Sequence, residues 1–214
     1  NTTAVSTADK EIYDSVFRNN EYGIRDGGRN KIVSSVFDRN GVGIHTGDDE
    51  VTRSEITNNG IGIDNWWGAI RVSYSNITGN GVGVIFSGHP QTVENNNISG
   101  NTTYNAKVAG AANRSALNNW WGTSNAAEIE AKIYDGRDDA TLGLLDYVPF
   151  LLHPVGVTNQ PPVANAGPDQ TGTVNLPLTF NGSASTDPDG SIASYQWNFG
   201  DGSPTATGAT VSHA

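Results

Sequence analysis

Residues 31–44, KIVSSVFDRNGVGI, set apolar side chains at Ile32, Phe37, Val42 and Ile44 with polar or small residues between them. The pattern returns in residues 11–24 (EIYDSVFRNNEYGI), 50–63 (EVTRSEITNNGIGI), 71–84 (RVSYSNITGNGVGV) and 92–105 (TVENNNISGNTTYN). The starts at 11, 31, 50, 71 and 92 differ by 20, 19, 21 and 21 residues. This period is too short for a helix-pair repeat, the apolar spacing is not helical, and the LxxLxLxxN signature of leucine-rich repeats is missing. Alternation within a strand gives even spacings, so the gaps of five place a turn between strands. Each repeat therefore holds three short strands, and the pattern predicts a three-sided parallel β-coil whose turns stack about 4.8 Å apart.

Stacking the repeats produces columns. Ile12, Ile32, Val51, Val72 and Val93 form one, Phe17, Phe37, Ile56, Ile77 and Ile98 a second, and Ile24, Ile44, Ile63 and Val84 a third. β-Branched and aromatic side chains suit a buried pleated surface, so these columns predict the core. A fourth column, Asn20, Asn40, Asn59, Asn80 and Asn101, places identical amides at strand spacing, where they can bond to one another and to the turn backbone. Gly41, Gly60 and Gly81 follow, and a positive φ is expected there. Ser15, Ser35, Ser54 and Ser75, with Asn96 next, form a fifth column.

The Asn ladder and the NGxGI element make residues 11–122 resemble the right-handed parallel β-helix family, the fold of pectate-lyase-like proteins. Five aligned copies carry the fold, and the fold hosts lyases, hydrolases, epimerases, adhesins and inert stalks alike. Asn118–Gly122 (NNWWG) breaks the period, with an Asp-rich stretch and YVPFL after it, and resembles the closing segment of such proteins. A solenoid end exposes apolar side chains and strand edges and needs a cap. Residues 124–134 can supply a short helix, N-capped by Ser124 or Asn125, with Ile129 and Ile133 on one face and residues 147–152 lying across the end.

Residues 153–161 read as a linker with no periodicity, and no Lys or Arg lies beyond it. Residues 162–214 resemble the PKD domain, an Ig-like β-sandwich, through PVANAGPDQ, GSASTDPDGSIASYQWNFGDGS and the final VSHA. Trp197 and Phe199 alternate with polar neighbours, as inward residues of a strand do. Relative to that family the last hairpin is missing, so the expectation is an incomplete sandwich and the least stable part of the chain. The fold class expected is all-β: a right-handed three-sided parallel β-helix of five to six coils over residues 1–152, capped at 118–152, then the truncated sandwich.

The chain has 214 residues, a net charge of −10 and 16% charged residues. With no basic stripe to neutralise phosphates, a nucleic-acid partner is not expected. No apolar run approaches the length of a membrane span. There is no Cys and no Met, and the chain reads as an internal piece without a signal peptide. The expected setting is extracellular or cell-surface, bacterial or archaeal, and monomeric, with a polysaccharide or cell-surface glycan as partner.

Candidate chemistry starts with the column Glu11, Lys31, Glu50, Arg71 and Thr92. Alternating signs at strand spacing read as cross-strand ion pairs, and Arg18 above Asp38 repeats the idea. The family resemblance offers another reading. Lyases of this fold carry Lys or Arg bases and calcium-bound carboxylates on an outer face, which makes Lys31, Arg53 and Arg71 catalytic candidates beside Asp48, Asp49 and Glu50 as calcium candidates. Asp187 and Asp189 in the sandwich, and Asp135 with Asp138 and Asp139, are further calcium candidates whose alternative is turn or cap hydrogen bonding. No cofactor is otherwise required. His45 and His89 stand alone on loops without metal spacing, and the Ser columns lack a base. Trp66, Trp67, Trp120 and Trp121 are candidates for stacking on sugar rings, one of each pair facing out. Sequons at Asn76, Asn97, Asn101, Asn113 and Asn181 are expected by chance in so Asn- and Thr-rich a chain. Two functions follow: a non-catalytic, carbohydrate-associated module with a PKD spacer, or the C-terminal part of a polysaccharide lyase, hydrolase or epimerase whose catalytic coils lie upstream.

Overall fold

The computed structural model describes all residues except 1–2, 6–8, 26–27, 88, 90, 157–161, 187–191 and 193. It divides into two units, residues 1–156 and 157–214.

The first unit is a parallel β-solenoid of about four full turns. Its first sheet stacks Glu11–Tyr13, Lys31–Val33, Glu50–Thr52, Arg71–Ser73 and Thr92–Glu94. The second stacks Val16–Arg18, Val36–Asp38, Glu55–Thr57, Asn76–Thr78 and Asn97–Ser99. The third runs from Thr3–Val5 through Tyr22–Arg25, Val42–His45, Ile61–Asn65, Val82–Phe86 and Tyr104–Val108 to Ile133–Tyr134. The columns read from the sequence are the registers observed: Ile32 pairs with Ile12 and Val51, Ile77 with Ile56 and Ile98, Ile63 with Ile44 and Val84. From Ile32 and Phe37 onward these core side chains are essentially sealed from solvent.

The corners explain the polar columns. The residue before each ladder position lies in the left-handed region: Asn19 (φ 57), Arg39 (56), Asn58 (57), Gly79 (69) and Gly100 (62) before the asparagines, and Asp14 (47), Ser34 (52), Arg53 (49), Tyr74 (52) and Asn95 (57) before the serine column. The next backbone N–H then meets a side-chain oxygen one coil on. Asn40 N–H donates to Asn59 Oδ1 at 2.9 Å, Asn59 N–H to Asn80 Oδ1 at 2.9 Å, and Asn80 N–H to Asn101 Oδ1 at 3.0 Å. Each Nδ2 also donates to the next Oδ1 and back to a backbone carbonyl; for Asn59 these are Asn80 Oδ1 at 3.0 Å and Phe37 O at 2.9 Å. Ser35, Ser54 and Ser75 serve the second corner in the same way, and Asn96 and Asn119 continue it. A third, shorter ladder runs from Lys10 N–H to Asn30 and from Asn30 to Asp49.

Two expectations are corrected here. Gly41, Gly60 and Gly81 do not carry the positive φ, which falls two residues earlier. They are glycines because a Cβ would strike the carbonyl of the coil below, at 2.7 Å (Glu21 O), 2.6 Å (Gly41 O) and 2.4 Å (Gly60 O). NNWWG does not break the register either. Asn118 (φ 55) makes the corner, Asn119 takes the ladder place above Asn96, and Trp120 pairs in parallel with Asn97. The longer spacing is an inserted loop before it.

The cap closes the far end. Its helix is shorter than expected, Ala126–Glu130, with Asn125 as N-cap, its Oδ1 accepting the Ala127 N–H at 3.0 Å. Ile133 lies in the last strand of the third sheet, and both Ile129 and Ile133 are buried. Residues 149–151 lie over the NNWWG rung, with Asn118 N–H donating to Pro149 O and Leu151 N–H to Asn119 O. Val155, placed in the linker by sequence, exchanges two hydrogen bonds with the Asn97 side chain at 2.6 and 3.0 Å and so belongs to the first unit.

The second unit pairs Leu178–Asn181 with Thr210–His213 and Gln196–Trp197 with Ala206–Thr207, both antiparallel. Tyr195, Trp197 and Phe199 alternate with exposed neighbours as the sequence indicated, and Phe180 packs 6.0 Å from Trp197 and 5.5 Å from Phe199. Among its described residues Val211 is the one buried hydrophobic side chain.

Two stability predictions follow from this division. Asn59→Ala removes four hydrogen bonds and strands the buried Asn40 N–H, and is expected to cost about 3 kcal/mol or more, whereas Asn95→Gly, at a left-handed corner outside the ladder, stays near neutral. Urea denaturation of the two variants checks it; equal effects would refute the ladder's role. Amide exchange is expected to be faster throughout the second unit than in the coils, and equal protection would contradict its thin core.

Candidate functional site

The outer surface of the first sheet carries the charged column. Glu11, Lys31, Glu50, Arg71 and Thr92 are in register, each beside the next. The expected ion pairs do not form along it: among the described residues, no member of this column comes within 4.0 Å of an opposite charge. Long side chains standing on an exposed strand have water as a competitor and gain little by holding one geometry. Arg18 and Asp38 do pair, at 3.2 Å. Asp38 is buried, and the Asn58 amide, then Arg39 and Arg18, hold its carboxyl below the usual carboxylate range.

Beside the column lies a shallow open groove lined by Tyr13, Lys31, Glu50, Arg53, Ser73 and Tyr74. It crosses the coils, with Tyr13 46% and Tyr74 57% exposed. Arg53 and Tyr74 are corner residues with φ of 49° and 52°. A left-handed conformation costs a residue with a Cβ on the order of 1–2 kcal/mol; other corners of this solenoid place Asn or Gly there, or Asp, Ser and Arg, and Tyr74 is the one aromatic among them. Two large, exposed side chains are thus held in an unfavourable backbone state. Of the three catalytic candidates, Lys31 and Arg53 share this groove; Arg71 belongs to the same face but does not line it.

The acidic run at 48–50 does not converge. Asp48 (φ 54) turns to accept the Ala69 N–H at 2.6 Å, Asp49 points into the third ladder at 1% exposure, and Glu50 points outward. Adjacent residues at a corner aim in different directions, so their carboxylates cannot share an ion. Asp135 is fully buried and accepts from Arg137 Nη1 at 2.6 Å, Arg137 N–H at 2.8 Å and Leu145 N–H at 2.8 Å, a cap-pinning role. Asp138 accepts the Asp135 N–H, and Asp139 accepts from Thr141, which lowers the Asp139 pKa. Asp187 and Asp189 lie outside the described residues. Among the described residues, no three His, Cys, Asp or Glu side chains gather as a metal ion requires.

The four tryptophans divide. Trp121 is 2% exposed, set edge-on to Tyr147 at 6.3 Å, and is core rather than a sugar platform. Trp120 is the half-buried rung above Asn97, and Trp67 is half-buried. Trp66 is 58% exposed. It stacks on His45, with centroids 5.8 Å apart and planes at 1°, and His45 Nδ1 is 3.0 Å from Asp64 Oδ2. His45, expected on a loop, instead ends the strand Val42–His45, and its sequence signal is the register with Asp64, one coil apart, rather than metal spacing.

The class of molecule is a capped parallel β-solenoid followed by a small antiparallel unit. That second unit is a PKD domain: residues 159–214 match the PKD domain family. No solved structure matches the chain. PKD domains occur in extracellular proteins. No helix among the described residues is long and apolar enough to cross a membrane.

Asp49 supplies a pH prediction. Burial pushes its carboxyl up to about 6, against the pull of the Asn30 hydrogen bonds. The folded chain then keeps this proton to a higher pH than the unfolded chain, whose carboxyl titrates near 3.8. Its contribution to stability is full at low pH, falls as pH rises from about 4 to about 6, and is flat above, a loss of about 2–3 kcal/mol. Asp49→Asn keeps the acceptor for Asn30 without the charge, so it is expected to stabilise the solenoid at pH 7 by that order and to flatten the slope. Urea unfolding at pH 4, 5, 6 and 7 measures this; a slope unchanged in the variant would refute it.

Proposed function

We propose that the chain is a non-catalytic, extracellular, carbohydrate-associated module in which the solenoid presents a glycan-contacting face and the PKD domain acts as a spacer. The observation that carries this reading is Tyr74: a large aromatic, 57% exposed, in a left-handed corner where Asn or Gly costs less. Strain of this kind persists where function selects the side chain. Tyr13 lines the same groove, three rungs away, so the two rings are separated by roughly 14 Å along the axis. Aromatic faces suit the apolar surfaces of sugar rings, and Lys31, Glu50, Arg53 and Ser73 between them offer hydrogen bonds to hydroxyls. An open, shallow face suits holding a polymer more than enclosing a reacting bond.

A second reading, glycan cleavage in this groove, is favoured by one observation: Lys31 and Arg53, potential bases, line it with Glu50. Incubation with uronate polymers, read by absorbance of the unsaturated product, tests it; turnover abolished in Lys31→Ala would replace the binding reading with a lyase.

Tyr74→Asn separates function from stability. The variant is expected to bind its best oligosaccharide, from a panel of neutral and uronate-containing chains measured by calorimetry, about tenfold more weakly, a loss of 1.4 kcal/mol. It is also expected to unfold at higher urea, because about 1 kcal/mol of backbone strain is relieved. Unchanged binding with raised stability would leave Tyr74 without a functional reason and would sink the proposal.

A further inference from the structure

We infer that Trp66, His45 and Asp64 form a second, separate sugar platform, on the outer surface of the third sheet, that takes a neutral pyranose; this rests on the carbohydrate reading above. Trp66 follows the strand Ile61–Asn65 and is the most exposed of the described tryptophans. An indole left in water on a mobile loop would carry no argument, but this one is restrained from three sides. Asn65 Nδ2 donates to Gly68 O at 3.1 Å, closing the loop that presents the ring. Asp48 Oδ1 accepts the Ala69 N–H at 2.6 Å and ties the same loop to the coil before it. The imidazole of His45 lies parallel beneath the indole, and Asp64 fixes that imidazole through Nδ1. Tyr22 packs against the other side of His45, tilted by 50° with centroids 5.3 Å apart, and carries the Arg25 guanidinium 4.7 Å over its ring.

A ring held in place before the ligand arrives loses little freedom on binding, which is how a single aromatic anchor becomes effective. Both side chains of the prop are largely covered, His45 at 18% and Asp64 at 22% side-chain exposure, while the indole above them is open. Burying apolar surface does not account for an indole so exposed.

Charge selects the ligand. The charged groups nearest the indole are carboxylates, Asp64 on the His45 prop and Asp48 at its loop, in a chain of net charge −10, while the Arg25 guanidinium lies two coils back, engaged over the Tyr22 ring. They accept hydrogen bonds from sugar hydroxyls and repel a carboxylated or sulfated ring. The apolar C–H face of a neutral hexose or pentose lies on the indole, with its hydroxyls at the Asp64 edge. The Tyr13–Tyr74 groove contains Lys31 and Arg53 and lies on the first sheet, so the two sites can be told apart.

The test uses the whole chain, with xylohexaose and cellohexaose as neutral probes and hexagalacturonate as the acidic one, read by calorimetry and by the indole N–H signals in NMR spectra. The neutral probe is expected to shift one indole signal, absent in Trp66→Ala, and to bind at least tenfold more weakly to that variant. Trp66→Phe is expected to retain most of the affinity, and His45→Ala to lose part of it with an unchanged urea midpoint. Tyr74→Asn is expected to leave neutral binding at this platform intact. If the acidic probe binds and is lost in Tyr74→Asn while Trp66→Ala matches the wild type for every probe, the platform falls and the general reading stands. If no probe binds the wild-type chain, both fall. A Trp66→Ala variant that loses its cooperative unfolding would make the indole a structural prop and overturn the proposal as well.

Discussion

Everything in the solenoid depends on one backbone N–H per corner. Turning a strand through a tight angle without a long loop requires a residue in the left-handed region, and that conformation points the next N–H inward, away from water. A buried, unpaired N–H costs as much as a lost hydrogen bond, and no strand is in position to receive it. The nearest acceptor is the side chain of the equivalent residue one coil on. It must be short, and it must carry an oxygen, which is why the columns hold Asn and Ser. Asparagine does more than serine. Its Oδ1 takes two donors and its Nδ2 supplies two, so Asn59 leaves no polar atom of its amide unpaired. A serine hydroxyl accepts the corner N–H and returns its own proton to a carbonyl two residues back, as Ser54 does to Thr52 O at 2.9 Å.

The third corner departs from this rule. Its column reads Lys10, Asn30, Asp49, Ile70 and Gln91. Asp49 brings a carboxylate where an amide belongs, Ile70 has no oxygen to offer, and the Gln91 amide finds no partner. The Oδ1 of the buried Asn65, nearby on the preceding strand, is also unpartnered. The loops of this corner are longer than those of the other two, and it is this corner that presents Asp48 and Trp66. Two corners thus supply regularity and the third is free to vary, so side chains that do not serve the fold collect there and along the neighbouring first sheet. Arg53 and Tyr74 belong to the opposite situation: they sit at a regular corner whose ladder is intact, and the satisfied Ser54 and Ser75 bonds hold a backbone state the two side chains would not choose.

This is also why the fold was legible in the sequence and the surface was not. A column repeated five times averages over local noise, and the registers of Ile32, Ile77 and Ile63 follow from it directly. The glycines of NGxGI misled because φ and crowding both select glycine, and a single sequence does not say which acts; only the 2.6 Å left between Gly41 O and the place a Cβ would take on Gly60 does. NNWWG and NWWG look alike as letters, yet Asn119 is a ladder rung with Trp121 behind it in the core, whereas Asn65 ends a strand with Trp66 outside. In both motifs the second tryptophan is the more covered one, and the place of the motif in the coil sets how far each is buried. The charge column was placed correctly in register and wrongly in contact, because spacing along an axis says nothing about where a flexible exposed side chain spends its time.

The ladder has a direction, and that direction accounts for the cap. Each corner N–H donates toward the C-terminal coil, so the stack can end there only on acceptors that the coils themselves no longer supply. Asn105 and Asn119 provide the last side-chain oxygens, at 3.4 Å to Asn101 N–H and 3.0 Å to Asn96 N–H. The Asn105 N–H then needs an acceptor outside the repeat and finds Lys132 O at 2.7 Å. Lys132 completes the exchange from its other end, with Nζ on the carbonyls of Asn101 and Thr102 at 3.2 and 3.1 Å. An apolar lid alone would cover Ile98 and Val108 and leave those groups stranded. The helix Ala126–Glu130 matters chiefly as the spacer that delivers Lys132 to this position, which is why so short a helix, one turn with an Asn125 cap, is enough.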